Sequence, residues 1–306
     1  MAENLPDNTM PLPPAITVEN LSKYYDRTVG VKEISFAIQA GEIFGFLGPN
    51  GAGKTTTIRL LLDLLRPSGG KAFVFGKAVR KNSLEIRRRC GYLPGNFTPF
   101  AHLSGAEFLR LAARLRGIQP IRLPDLLSRF QLSEKELAQK IKHLSHGTLQ
   151  KLGIVQAFFH APELLILDEP TLGLDPLMQE EFYALLREVN REGRTVFFSS
   201  HNLPEVEKVC QRAAIIREGE LVALETLENL KKKRYRRLKL ILREPLAELQ
   251  LPGARLVHQQ GAAYEFLVKG DIPDLLNRLA GLPVADLVFP EADLEEVFMA
   301  YYRRNA

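Results

Sequence analysis

Apolar positions along the chain follow two rhythms that alternate. Residues 16–21, 35–38 and 42–47 are short runs rich in Ile, Val, Phe and Leu, bounded by Gly and polar turns, and they are predicted as strands. Residues 56–65 then take a helical spacing that the Pro67-Ser68-Gly69-Gly70 stretch stops. In 107–115 the apolar residues Phe108, Leu111, Ala112 and Leu115 stand at i, i+3, i+4 and i+7, the stripe of an amphipathic helix. Phe182, Leu185, Leu186 and Val189 repeat that spacing. Residues 164–167 and 195–199 are almost wholly apolar, as strands buried on both faces of a parallel sheet require. Strands alternating with helices predict an α/β fold.

Beyond residue 230 the texture changes. Strands are expected at 238–242, 254–258 and 264–268, a helix at 272–280, a strand at 284–289 and a terminal helix at 294–302. The predicted organisation is a flexible tail with four prolines over 1–14 and an α/β domain over 15–230. A basic linker at 231–237 and a small α+β domain over 238–306 follow.

Composition narrows the classes. With 306 residues, 45% hydrophobic and 25% charged, the chain has an ordinary globular balance and enough length for a core, which excludes a wholly disordered or fibrous protein. Lys and Arg number 41 against 36 Asp and Glu, a net charge of +5. That excess is local: residues 230–239, LKKKRYRRLK, carry seven basic residues, and the rest is near neutral. A nucleic-acid protein has a broader basic footprint, so no nucleic-acid partner is expected. The run reads as a solvated linker or, alternatively, a patch for anionic lipid. Cys90 and Cys210 make neither a disulfide framework nor a metal cluster, which suits a reducing compartment. No apolar run nears the ~18–20 residues that span a bilayer, and the first residues do not read as a secretory signal. A soluble intracellular chain is expected.

The chemistry is concentrated in two motifs. GPNGAGKTT, residues 48–56, satisfies G-x-x-x-x-G-K-[ST] between a predicted strand and a predicted helix. Glycines let the backbone of Gly48, Pro49, Asn50, Gly51, Ala52 and Gly53 wrap a phosphate, with N–H groups pointing inward at a helix start. Lys54 can reach the β and γ phosphates, the Thr55 hydroxyl can ligate Mg²⁺, and Thr56 completes the turn. LLILDEPT, residues 164–171, ends an apolar strand in Asp168 and Glu169, bringing two carboxylates to the ligand edge of a parallel sheet. Asp168 suits the metal shell, and Glu169 suits orienting and deprotonating an attacking water.

Further segments carry a family resemblance. LSHGTLQK (144–151) resembles the LSGGQ signature of ATP-binding cassette proteins, LGLDP (172–176) the loop after their Asp-Glu strand, and FFSSH (197–201) the strand leading to their switch histidine. Tyr25 stands where the family has an adenine-stacking aromatic. The order and spacing match over about 15–230. The resemblance implies a cassette of P-loop NTPase fold, with a helical signature subdomain, that binds ATP and Mg²⁺ and works as a head-to-tail dimer. Ser145 and Gly147 would then contact nucleotide held by the partner, His201 would contact the γ-phosphate, and Asp175 would support the interface. VFPEADLEEVFMAYYRR, from Val288, resembles the ending of drug-resistance exporter ATPases. A second cassette, most simply an identical copy, and a separate membrane-spanning permease are the implied partners, at the cytoplasmic face of the cell membrane. A soluble cassette ATPase acting on ribosomes or nucleic acid is the alternative.

Three departures from the family pattern stand out. His146 replaces a signature glycine, and Thr148-Leu149-Gln150 replaces the usual ending. In CGYLPGNF (90–97), Gly95 occupies a place where many cassettes have glutamine; Asn96 is expected to take over its approach to metal and water. Phe97 and Phe100 either tuck into the cassette core or form a groove for a permease helix.

Overall fold

The structure, a computed structural model, describes residues 13–232, 236–246, 248–268 and 272–290. The chain divides into two compact units, Met1–Glu225 and Thr226–Ala306. The terminal helix expected at 294–302, most of the tail and part of the basic run lie outside the described residues.

In the first unit, β1 (Ile16–Tyr25), β2 (Thr28–Ile38), β3 (Ile43–Leu47) and helix α1 (Lys54–Leu61) follow in order. Strands β4 (Gly69–Val74) and β5 (Lys77–Ala78), helix α2 (Val79–Arg89) and strand β6 (Cys90–Leu93) continue it. Four helices come next: α3 (Gly105–Arg116), α4 (Leu123–Arg129), α5 (Glu134–Ala138) and α6 (His146–Phe158). The unit closes with β7 (Leu164–Asp168), α7 (Pro176–Arg191), β8 (Thr195–Ser200), α8 (Leu203–Val209), β9 (Arg212–Arg217) and β10 (Glu220–Thr226).

A six-stranded sheet runs β10-β9-β3-β8-β7-β6, with β9, β3, β8, β7 and β6 pairing in parallel. Every residue of β3, β7 and β8 is buried, which accounts for their unbroken apolar runs. An antiparallel sheet, β2-β1-β4-β5, packs its Phe36 on Phe44 and Phe46 at ring distances of 5.9 and 5.6 Å, and Phe197 completes this aromatic core. α3 to α6 form a helical subdomain. Ser104 and Ser133 start α3 and α5 with capping boxes, and Arg129 ties α4 to Glu181 and Glu188 of α7 at 2.8 and 2.7 Å.

Boundaries move where backbone irregularity breaks the pattern. β1 extends to Tyr25, well past the expected 16–21, because register shifts after Val18 and after Leu21, with Asn20 at φ 46°, disrupt the two-residue alternation. Glu33, at φ 48°, hides the first half of β2 in the same way. α1 starts at Lys54, because Gly53 caps it in a left-handed conformation, and stops at Leu61, short of the expected residue 65.

The second unit contains α9 (Leu227–Lys232), β11 (Arg236–Leu242), β12 (Ala254–Gln260), β13 (Ala263–Val268), α10 (Ile272–Ala280) and β14 (Val284–Val288). Its antiparallel sheet has the order β12-β13-β11-β14. Leu238, Leu240, Tyr264, Phe266, Leu275 and Leu279 fill its core, and Tyr264 Oη donates to the Leu246 carbonyl while accepting from its N–H.

Candidate functional site

The C-terminal ends of β3, β7 and β8 are neighbours in the sheet, so the segments that leave them converge at one edge. From β3 comes the loop into α1. Gly53 there has φ 110°, and a Cβ on it would stand 2.5 Å from the Gly30 carbonyl, so only glycine fits. The loop lines a cleft of ≈ 260 Å³ with Tyr25, Thr28, Val29, Gly30, Pro49, Asn50, Gly51, Gly53, Lys54, Thr55, Thr56 and Glu169. The Tyr25 ring lies against Gly30, where a Cβ would be 2.7 Å from it, and remains 41% exposed, an aromatic face at the mouth of the cleft.

β7 delivers Asp168 fully buried. Its Oδ2 accepts from the Thr55 hydroxyl at 2.7 Å and its Oδ1 from the Ser199 hydroxyl at 2.6 Å. Tyr92 of β6 stays a neutral phenol there: burial first, and then the Asp168 charge, push its pKa up to about 12. Glu169 follows in a left-handed backbone, φ 49°, directly before Pro170. Its N–H is held by the carbonyl and hydroxyl oxygens of Ser199, each at 3.2 Å. Its Oε2 lies 2.7 Å from His201 Nδ1, at the end of β8. Its Oε1 lies 3.0 Å from Lys54 Nζ but is buried without a hydrogen-bond partner. Lys54 donates instead to the carbonyls of Gly48 and Pro49, at 2.6 and 3.2 Å.

The expected residues therefore divide into two groups. The phosphate loop, Tyr25, Asp168, Glu169 and His201 come together. Ser145 and Asp175 are exposed N-caps of α6 and α7, accepting from the N–H groups of Thr148 at 3.1 Å and Met178 at 3.0 Å, and Gly147 sits in the first turn of α6. At the end of β6, Gly95 lies against Asp168: a Cβ on it would be 3.2 Å from Oδ2. Asn96 is exposed and, among the described residues, makes no side-chain hydrogen bond. Phe97 packs edge-on against Phe108, with ring centroids 5.7 Å apart, whereas Phe100 is 58% exposed.

Two residues with a clear place here escaped the sequence reading. Ser199 clamps Asp168 and the Glu169 N–H; its signal was a polar residue closing an otherwise apolar strand. Gln150, 3% exposed in α6, donates its amide to the Pro170 carbonyl at 2.8 Å. A glutamine among core-facing positions was its signal.

Comparison with known proteins identifies the family. The family model described as ABC transporter matches residues 31–172. The chain is 41% identical to an uncharacterised ABC transporter ATP-binding protein of Nostoc sp. over 230 residues, 71% of this chain and 68% of that one. It is 35% identical to the bacitracin transport ATP-binding protein of Bacillus licheniformis over 294 residues, 93% of this chain and 96% of that one. A solved ATP-binding subunit of an ABC transporter superposes with a TM-score of 0.67 at 33% identity, covering 72% of this chain and 92% of that one. With its phosphate loop, its paired carboxylates and these relatives, the chain belongs to the family of ABC transporter ATP-binding proteins, and it is a nucleotide-binding cassette ATPase.

Proposed function

We propose that this chain is the ATP-hydrolysing subunit of a drug- or antibiotic-type exporter, paired head to tail with a second cassette and driving a separate permease. The observation that carries the reading is the meeting of Lys54, Glu169 and His201 over the hydrogen-bonded Asp168–Thr55 pair. The relative that nearly spans this chain is named for bacitracin transport, which supports the exporter assignment.

The donor set fits Mg²⁺. Thr55 and Asp168 offer a hydroxyl and a carboxylate, both hard oxygen ligands. Among the described residues no three His, Cys, Asp or Glu gather to hold a metal alone, so nucleotide phosphates would supply much of the coordination. Bound there, Mg²⁺ would neutralise phosphate charge as the γ-phosphoryl transfers. Tyr25 stacks on the base, the Gly48–Thr56 loop wraps the phosphates and Lys54 turns from its loop carbonyls to the β and γ oxygens. Glu169 Oε2 is taken up by His201, which leaves Oε1 to orient the attacking water and accept its proton. His201 holds Glu169 through Nδ1 and meets the γ-phosphate with its other ring nitrogen. Ser145 and Gly147 act on the partner's nucleotide, and Asp175 supports the contact between copies. No helix among the described residues is long and apolar enough to cross a membrane.

The test is a pull-down of tagged Glu169→Gln protein from native membranes with ATP, followed by mass spectrometry. The substitution removes the base but keeps its shape, so the dimer should persist on its partner. Stoichiometric recovery of a multi-spanning protein is the expected outcome. A catch of ribosomal proteins or nucleic acid would replace this reading with the soluble-cassette alternative.

A further inference from the structure

Glu169 stands in a conformation that its own sequence disfavours. A left-handed backbone strains any residue with a Cβ, and a following proline pushes residue 169 toward extended geometry instead. Such strain persists only where the surroundings over-determine it. Ser199 restrains the turn from the N–H side. Within the following loop the Glu169 carbonyl accepts from the Leu172 N–H at 3.3 Å. From α6 comes Gln150, whose Nε2 donates to the Pro170 carbonyl at 2.8 Å and lies 3.5 Å from the Glu169 carbonyl. Two carbonyls converging on one amide require its nitrogen, not its oxygen, to face them.

Gln150 sits just over one turn beyond Ser145, the N-cap of α6. The start of that helix also interlocks with the loop after Pro170. A Cβ on Gly173, which has φ 81°, would lie 2.5 Å from Cδ2 of His146, and a Cβ on Gly147 would lie 2.9 Å from the Gly173 carbonyl. α6 thus grips the 169–173 segment at two points, one polar and one steric.

We propose that Gln150 is a positioning residue for Glu169: from α6 it holds the strained Glu169–Pro170 turn and links the Ser145 turn to the carboxylate of this chain's own site. The inference rests on the roles given above to Ser145 and Glu169. Occupation of the Ser145 turn by the partner's nucleotide then steadies Glu169 across α6, which makes the two sites of a dimer cooperative.

The test is steady-state ATP hydrolysis by the full chain against ATP concentration, with ATP affinity and melting temperature measured separately. Gln150→Met keeps length and bulk but has no N–H. Its kcat should fall about tenfold, the loss equivalent to one buried hydrogen bond, with ATP affinity within about twofold and a Hill coefficient close to one. A folded Gln150→Met protein with kcat within about twofold of wild type overturns the proposal. Gln150→Glu preserves volume and gives a second readout should the first variant not fold. Ionised, its carboxylate repels the two carbonyls; protonated, it restores one donor. Its kcat relative to wild type should climb several-fold as the pH is lowered, and a flat ratio also overturns the proposal. Wild-type protein that binds ATP without hydrolysing it would instead refute the role given to Glu169, a different failure with a different signature.

Discussion

Replacing Ser199 with alanine isolates a contact that holds the Asp168 carboxylate and the backbone N–H of Glu169. Its hydroxyl donates to Asp168 Oδ1 at 2.6 Å and accepts from the Glu169 N–H at 3.2 Å, and both Ser199 and Asp168 are fully buried. Without it, Asp168 keeps the Thr55 hydroxyl, while the Glu169 N–H still has the Ser199 carbonyl. The dominant loss is one hydrogen bond to a buried charged acceptor, about 1.5–3 kcal/mol. For a unit of this size each kcal/mol moves the melting temperature by roughly 2–4 °C, so Ser199→Ala should melt about 3–12 °C below wild type. Calorimetry at neutral pH reads this directly. Combined with Thr55→Val the deficit should exceed the sum of the single variants, because the double variant leaves a buried carboxylate with neither hydroxyl. If Ser199→Ala melted within about 1 °C of wild type, the argument that this hydroxyl holds Asp168 would fail.

Other perturbations follow from the same geometry. Burial first, and then Arg116, lower the His160 pKa to about 4, below its unfolded value near 6.5. The unfolded chain therefore binds the proton between those values, and stability present above pH 6.5 should be lost as the pH falls toward 4. The loss is on the order of 2–3 kcal/mol; denaturant titrations in which His160→Gln keeps the same acid slope would contradict it. Phe97→Ser should destabilise the fold by about 1–3 kcal/mol, since that ring packs on Phe108. Phe100→Ser should leave stability within about 0.5 kcal/mol but weaken permease capture, and equal melting losses for both would refute this division. Asn96→Ala should reduce turnover or its response to the permease if the amide serves the attacking water; unchanged values for both remove Asn96 from the site.

The phosphate loop and the Asp-Glu strand were legible because each is a short, ordered string whose residue types suit phosphate, metal and water, whereas His201, a lone histidine after a strand, was singled out by the family resemblance. The buried strands were equally plain: β7 and β8 are apolar on both faces, so no alternation was needed to find them. Long β1 and β2 were read only in part, because bulges near Asn20 and Glu33 break the alternation that identifies a strand.

What the sequence carried by itself was the α/β scaffold together with the phosphate-loop and Asp-Glu motifs, since these are written in local order and periodicity. Only the tertiary structure decided which side chains meet. Ser199 and Gln150 lie 30 and 19 residues from Glu169 yet hold the backbone on either side of it. Likewise Phe97 and Phe100, three residues apart, went to opposite environments, one against Phe108 and one to solvent. Those outcomes depend on contacts between distant segments, which form only once the parallel sheet has brought its strand ends to one edge.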